Sequence, residues 1–368
     1  MDTALLERKL GLAAFMAGED ISAVAHFWRS AANLEVNSLE WALSMRLYGL
    51  ALIQIQREVE GTFVLERADR ILEQFSIAPF AILEFGSVTL SSMKPSLLAV
   101  FAHPDDEAFS SGAILAHYAK LGVQVELLCA TRGEAGKITD PSLKSIEDLG
   151  KQRELELQGA CAALGIAAPR FMGYHDSGRL ERLRRDDPNA TINIDYLKME
   201  QKILDVIREV KPQVLLTFDP HGGYNHPDHL SVHRATVAAF FSSGHLQNPP
   251  QRLFYTATSL ERMREWIAQP GGAMTPGMTP EVFGVSNDTI AVHFDGSAYL
   301  EQKIAAISMH TSQTGENSRM GQLSPEARTQ MQKRMAFEQF ALGGTRGAIQ
   351  NYPLNGFFDG LGLGIDEL

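Results

Sequence analysis

Leu97-Leu98-Ala99-Val100-Phe101-Ala102 is an unbroken apolar run that ends on His103-Pro104-Asp105-Asp106-Glu107. A run of that length, with Pro104 keeping the chain extended as it leaves, reads as a strand buried on both faces. Its polar continuation then lies at the strand's carboxyl end, where open α/β sheets place their sites. The same arrangement recurs farther on, where Gln213-Val214-Leu215-Leu216-Thr217-Phe218 runs through Asp219-Pro220-His221-Gly222-Gly223-Tyr224-Asn225 into His226-Pro227-Asp228-His229. A single sheet brings two such strand ends together.

Around these segments, strand and helix patterns alternate. Strands are expected over 96–102, 123–130, 170–173, 213–218, 252–258 and 288–294, and helices over 108–121, 143–164, 194–210, from about 226, and over 296–310. This alternation specifies a Rossmann-like, mostly parallel α/β sheet with helices on both faces. Residues 1–92 have another texture, with apolar residues at helical spacing and only Pro79 to interrupt them. They are expected to form a small all-helical domain. Leu10, Gly11, Gly18, Ala23, Phe27 and Leu34 fall at tetratricopeptide-like offsets, although no clean second copy aligns. Trp28, Trp41 and Tyr48 read as core or interface anchors. The organisation is thus a helical domain over 1–92, a linker at Ser91-Ser92-Met93-Lys94-Pro95, and an α/β domain over 93–368. Within the latter, 258–287 is a loop-rich stretch, and Gly271–Pro280 reads as a mobile loop whose methionines cover the surface, with contact to substrate as the alternative.

Composition narrows the function classes. The 368 residues carry 33 basic and 44 acidic side chains, a net charge of −11, which disfavours nucleic acid or an anionic membrane as a partner. No window approaches the roughly 18 to 20 apolar residues of a membrane span, and the amino terminus has no basic stretch leading into an apolar core, so a cytoplasmic location is expected. Cys129 and Cys161 sit inside hydrophobic patterns and read as buried, reduced thiols. A phosphate loop fails at Gly133-Glu134-Ala135-Gly136-Lys137 because the spacing is wrong, no dinucleotide fingerprint follows the first strand, and Ser110-Ser111 lacks a nucleophile elbow.

What remains is metal chemistry. A catalytic divalent metal takes three protein ligands from imidazole and carboxylate groups and keeps one position open. His103 and Asp106 can turn toward one point if a helix begins beside them. The third ligand must come from a distant strand end, and five of the eleven histidines (His221, His226, His229, His233 and His245) lie between 221 and 245. His226 and His229 share one face of an incipient helix, so that one can ligate while the other stays free for proton transfer. Asp228 is placed to fix the tautomer of a neighbouring imidazole. His117 and His233, on helices, read as solvent or core-edge residues.

The residues resemble the LmbE and PIG-L type of zinc-dependent N-acetylglucosaminyl deacetylases over about 96–340. The resemblance rests on Ala102–Glu107, Thr131–Gly136, Arg153-Glu154-Leu155-Glu156-Leu157 leading into Ala163-Leu164-Gly165, and Gly173-Tyr174-His175-Asp176-Ser177-Gly178. It continues with Gly223–His229 and with Lys303-Ile304-Ala305-Ala306 before His310-Thr311-Ser312-Gln313. It implies His103, Asp106 and His229 as ligands of Zn2+, with Fe2+ or another divalent metal as substitute, and Asp105 as general base. It also implies Tyr224 and His226 beside the scissile carbonyl with Asp228 behind the histidine, Arg153 and Asp176 facing sugar or polyol hydroxyls, and Glu134 at the substrate rim. The expected reaction removes an N-acetyl group from a small amino-sugar conjugate. A non-sugar amide or thiol conjugate is the alternative substrate, and a partner-binding scaffold with a vestigial site is the alternative role. The segment before residue 92 and the stretch 258–287 depart from the usual family domain; the helices leave room for a protein partner or self-association.

Overall fold

The computed structural model describes residues 3–55, 57–75, 94–246, 248–269, 272–347, 349, 351–363 and 365. Pro79, Gly271 and the linker residues Ser91–Met93 lie outside them. The chain divides into two compact units, Met1–Met93 and Lys94–Leu368.

The first unit contains helices Thr3–Met16, Asp20–Ala32, Leu39–Gln54 and Glu58–Gln74. Ser38 starts the third by accepting from the Trp41 amide, which satisfies one of the free donors of a helix start. Phe27, Trp41, Leu43 and Leu47 form the core. The two longest helices touch at backbone distance, since a Cβ on Gly61 would come within 2.7 Å of the Gly49 carbonyl oxygen. Of the residues expected as core or interface anchors, Trp41 is in the core, while the Trp28 ring is half exposed and leans on Tyr48, 5.4 Å between centroids.

The second unit is built on a seven-stranded sheet: β1 (Ser96–Phe101), β2 (Gln124–Thr131), β3 (Arg170–Tyr174), β4 (Val214–Thr217), β5 (Arg252–Ala257), β6 (Ile290–Asp295) and β7 (Phe337–Thr345). Their order is β3-β2-β1-β4-β5-β7-β6. The first five run parallel, while β7 is antiparallel to both β5 and β6. Every residue of β1 and β4 is buried, as continuous apolar runs in a covered parallel sheet must be. Helices Asp106–Lys120, Leu149–Leu164 and Leu300–Met309 pack together, and Tyr196–Val210 packs with Pro227–Ser242, giving two helical groups. Cys129 and Cys161 are buried and free.

Two expectations shift. The helix expected from 143 begins at Leu149, where the Asp148 side chain accepts from the Lys151 amide, and a short 3-10 turn precedes it. Strand β7 was not legible, because Gly343 and Gly344 weaken a strand pattern. Their role is steric: a Cβ there would lie 2.2 Å from the Tyr255 ring and 2.6 Å from the Phe240 ring.

β7 also fixes the helix that opens the site. Glu338 accepts the Ala113 and Ile114 amides, each at 2.9 Å, and pairs with Lys303 Nζ at 2.6 Å, all of it buried. Breaking a buried pair leaves an uncompensated charge. Lys303→Met is therefore expected to lower unfolding free energy by about 3–5 kcal/mol in urea titration. Adding Glu338→Gln should recover part of that loss; a double variant no more stable than the single one would contradict the account.

Candidate metal centre

The strand order reverses between β1 and β4, and the loops leaving those two strands collect the histidine segments in the crevice beyond them. The first loop is tightly wound. His103 N–H donates to Asp106 Oδ2 at 2.8 Å across a turn, which forces Asp105 to φ 118°, left-handed backbone that a non-glycine residue adopts at a cost of about 1–3 kcal/mol. Neighbours hold it there. Asp105 N–H donates to Glu107 Oε2 at 3.0 Å, and Arg153 Nη2 donates to the Pro104 carbonyl and to Asp105 Oδ2, the latter at 3.1 Å. Glu107 is itself pinned by the buried His310, whose Nε2 lies 2.8 Å from Oε1. Burial pulls the His310 imidazole down, but the Glu107 carboxylate holds it above its ordinary value.

The glycines of Gly133-x-x-Gly136 serve this arrangement and no phosphate. Arg153 Nη1 donates to the Gly133 carbonyl at 2.8 Å, and a Cβ on Gly133 or Gly136 would come within 2.2 or 2.8 Å of that nitrogen.

The second loop brings in His229 on the first turn of Pro227–Ser242. Its ring stacks on Phe218 with centroids 3.9 Å apart, and its Nδ1 donates to the Gly222 carbonyl at 3.0 Å. Gly222 makes this possible: its φ is +58°, and a Cβ would approach His229 Cβ to 2.7 Å. Because a carbonyl only accepts, His229 carries its proton on Nδ1 and presents Nε2 as a lone pair. His103 is fixed the opposite way round, with Nε2 donating to Asp228 Oδ2 at 3.0 Å and Nδ1 turned inward.

Three donor groups therefore converge. His103 Nδ1 lies 3.2 Å from His229 Nε2 and 3.5 Å from Asp106 Oδ2, and His229 Nε2 lies 3.4 Å from Asp106 Oδ1. Ligands at bond lengths of about 2.0–2.2 Å on a tetrahedral ion stand about 3.3–3.6 Å apart; the two nitrogens come close to that spacing, and the Asp106 carboxylate faces both of them, with a different oxygen toward each. Two other groupings gather round His103: with His226 and His229, and with Asp176 and Asp228. Both are otherwise engaged. His226 Nδ1 accepts the Asp228 amide at 3.2 Å as the helix cap. Asp176 accepts from the amides of Ala135 (3.1 Å) and Gly178 (2.8 Å), and Asp228 from the Ser177 amide (2.9 Å) and the Thr191 hydroxyl. These two carboxylates brace the outer nitrogen of His103.

The electrostatics follow. Burial alone would lower the His103 pKa, yet Asp176, Asp106 and Asp228 hold it well above the ordinary imidazole value. Burial and the His103 charge, against the pull of Asp106, push His229 down to about 4. With no metal bound, a proton on His103 Nδ1 bridges to His229 Nε2. Burial, with His103 and His229 adding repulsion, drives His226 down to about 2, so that it is neutral and carries its proton on Nε2. Asp105 rises to about 6, since burial and the adjacent Asp106 outweigh Arg153. Burial also raises the Tyr224 phenol.

Several residues expected at the site have partners within the protein. The Asp228 carboxylate braces His103, and it meets His226 only through its backbone amide. Arg153 and Asp176, expected at substrate hydroxyls, are each 3% exposed and engaged with the protein. Glu134, expected at the rim, has a buried Oε2 with no hydrogen-bond partner among the described residues. Sequence reasoning missed the Glu107–His310 pair, the Ser177 and Thr191 donors and Lys303–Glu338, which spacing cannot reveal across such separations. A cavity of about 980 Å3 opens on the centre, with Asp105, Asp106, Tyr224 and His229 in its wall; Met274 and Met278 line it too, rather than only covering surface.

A family model, PIG-L, described as GlcNAc-PI de-N-acetylase, matches residues 98–240. A 1D-myo-inositol 2-acetamido-2-deoxy-alpha-D-glucopyranoside deacetylase from Thermobifida fusca is 35% identical over 236 residues, which is 59% of this chain and 82% of that protein. The enzyme of the same description from Acidothermus cellulolyticus is 37% identical over 240 residues, 60% and 80% of the two chains. Among solved structures, the A40926 pseudoaglycone deacetylase Dbv21 superposes loosely, with a TM-score of 0.47 at 19% identity over 70% of this chain and 100% of that one.

Side-chain 15N NMR of the metal-free protein at neutral pH should show His103 doubly protonated, His229 as the Nδ1–H tautomer and His226 as the Nε2–H tautomer. A neutral His103 or a charged His229 would contradict the hydrogen-bond assignment.

Proposed function

Because the chain belongs to the PIG-L family of GlcNAc-PI de-N-acetylases, we propose that it releases acetate from a 2-acetamido sugar conjugate using a divalent metal, zinc in the first instance. The observation that carries this reading is the gathering of His103 Nδ1, the Asp106 carboxylate and His229 Nε2 round one point, with Asp105 beside them. Both imidazole tautomers are set from outside the triad, as ligating histidines require. Two nitrogens and one carboxylate suit zinc, and no sulfur competes, since Cys129 and Cys161 lack a place among the donors.

A metal held there polarises the amide carbonyl and brings the attacking water's pKa from about 15.7 toward about 7. The chain's own groups do the rest. Asp105, ionised near neutral pH, takes the proton of the attacking water and returns it to the amine nitrogen as the C–N bond breaks. Its strained backbone and the Arg153 contact keep the carboxylate in one orientation, so no search is needed at the moment of transfer. His226 Nε2–H and the Tyr224 hydroxyl donate to the oxyanion of the tetrahedral intermediate; one such donor is worth about 3–4 kcal/mol. Since the Nδ1 lone pair of His226 is spent on the Asp228 amide, the ring serves as a neutral donor and Asp105 as the proton carrier. Acetate and a free amine result. The large negative charge and the lack, among the described residues, of any helix long and apolar enough to cross a membrane fit a small water-borne substrate met in the cytoplasm.

Acetate release from 2-acetamido-2-deoxyglucosides, against none from simple alkyl acetamides, tests the reaction class. Asp105→Asn is expected to keep the metal and lose about 10²–10⁴-fold in kcat, whereas His229→Ala loses both. Metal content and activity at the wild-type level in both variants would overturn the assignment. Uptake of zinc at pH 7 must displace the proton on His103, so calorimetry in buffers of different ionisation enthalpy should report about one proton released per ion. The sign is fixed: His103 is charged before binding and must be neutral to ligate, and release of no proton would contradict the bridge.

A further inference from the structure

The cleft continues from the metal centre along a wall of another character. After β5 the chain forms helix Leu260–Ile267, and returns to pair Ser259 with Val285, so the intervening segment closes on itself. Met263, Met278 and Phe283 bury one another, and Tyr224 packs against them. The segment is also fastened to Tyr224 directly. Thr275 Oγ1 donates to the Tyr224 carbonyl, Arg179 Nη2 donates to the Met274 carbonyl and to Thr275 Oγ1, and the Arg179 guanidinium stands 5.0 Å from the Tyr224 ring centroid. It is thus part of the active site's frame. On the cavity side it shows Trp266 and Met274, and Phe109, Met320 and Met335 from other elements join the same lining, beside polar side chains such as Gln269 and Ser318.

We propose that this end of the cleft is a subsite for an apolar aglycone, an alkyl or aryl group carried on the anomeric carbon of the amino sugar. The inference rests on the deacetylase reading above. A cavity of about 980 Å3 is at the upper end of small-molecule sites, well beyond what one sugar ring and a two-carbon acetyl group fill. The acetyl group belongs at the metal, so the remaining apolar room serves the other side of the sugar. A polyol aglycone needs a partner for each buried hydroxyl, and thioethers and an indole face offer none. Of the cations in the lining, Lys303 is paired with Glu338, Arg262 Nη2 donates to the Arg334 carbonyl at 3.1 Å, and Arg319 Nη2 donates to Gln269 Oε1 at 3.4 Å. Methionine also accommodates groups of varied shape, which suits an aryl or alkyl tail.

The test is acetate release from alkyl 2-acetamido-2-deoxyglucosides, methyl through hexyl, beside the inositol conjugate and an N-hexanoyl methyl glycoside. On the wild-type protein kcat/KM should rise about fourfold per methylene, mainly through KM. Trp266→Ala, at an exposed position, and separately Met335→Ala should flatten that slope. A flat slope with the inositol conjugate preferred overturns the subsite and leaves the deacetylase reading intact. Faster cleavage of the N-hexanoyl compound puts the acyl group on the wall and overturns the aglycone assignment, as does a slope that both variants retain. No acetate from any glycoside overturns the deacetylase reading and the subsite with it.

Discussion

Two imidazole nitrogens 3.2 Å apart, each with a carboxylate oxygen about 3.5 Å away, define this structure. Such a cluster is stable only with positive charge at its centre. A proton can supply it, at the price of a hydrogen bond between His103 and His229, and a divalent ion supplies it with a coordination position to spare. The surrounding structure is arranged for the second: each imidazole is held from behind by an acceptor that fixes its proton on the outer nitrogen, so that the inner lone pairs are available when the proton leaves.

That requirement propagates outward through the fold. Asp228 and Asp176 hold His103, and they in turn are held by amides of the loop after β3, through Ser177 and Gly178. Asp105 occupies backbone that a non-glycine residue avoids; Glu107 and Arg153 restrain it directly, and His310 holds Glu107 in place. Arg153 fits only because Gly133 and Gly136 leave room for its guanidinium. The sheet edge gathers loops after β1, β2, β3 and β4 into one polar network, and strain at Asp105 is tolerated because that network over-determines it.

Much of this was legible in the chain. Apolar runs ending in Asp, Pro and His identified β1 and β4, and the switch-point rule placed their ends together, so that His103 and Asp106 could be set beside the histidines of 221–245; the choice of His229 among these, 126 positions from His103, came only from the family resemblance. The alternation of patterns specified the parallel sheet. What escaped depended on contacts without sequence periodicity. β7 was hidden by glycines whose reason is the rings of Tyr255 and Phe240. Asp228 follows His226 by two positions and so looked like its support, but a helix first turn points that carboxylate to His103. Arg153 and Asp176 were expected at the substrate from the family resemblance alone, and no spacing could show that both are buried and hydrogen-bonded to the loops around His103 and Asp105. Methionines in a loop look like surface cover until the loop is seen tied to Tyr224.

The central claim is that the inner faces of His103, Asp106 and His229, and not the other groups around His103, hold the metal. X-ray absorption spectroscopy of the zinc-loaded protein tests it most directly, recorded on the wild type and on His226→Ala. Two imidazole nitrogens are expected, with light oxygen ligands completing a tetrahedral shell at about 2.0–2.2 Å, unchanged by loss of His226. A shell with three imidazoles, or one that loses an imidazole in His226→Ala, would contradict it.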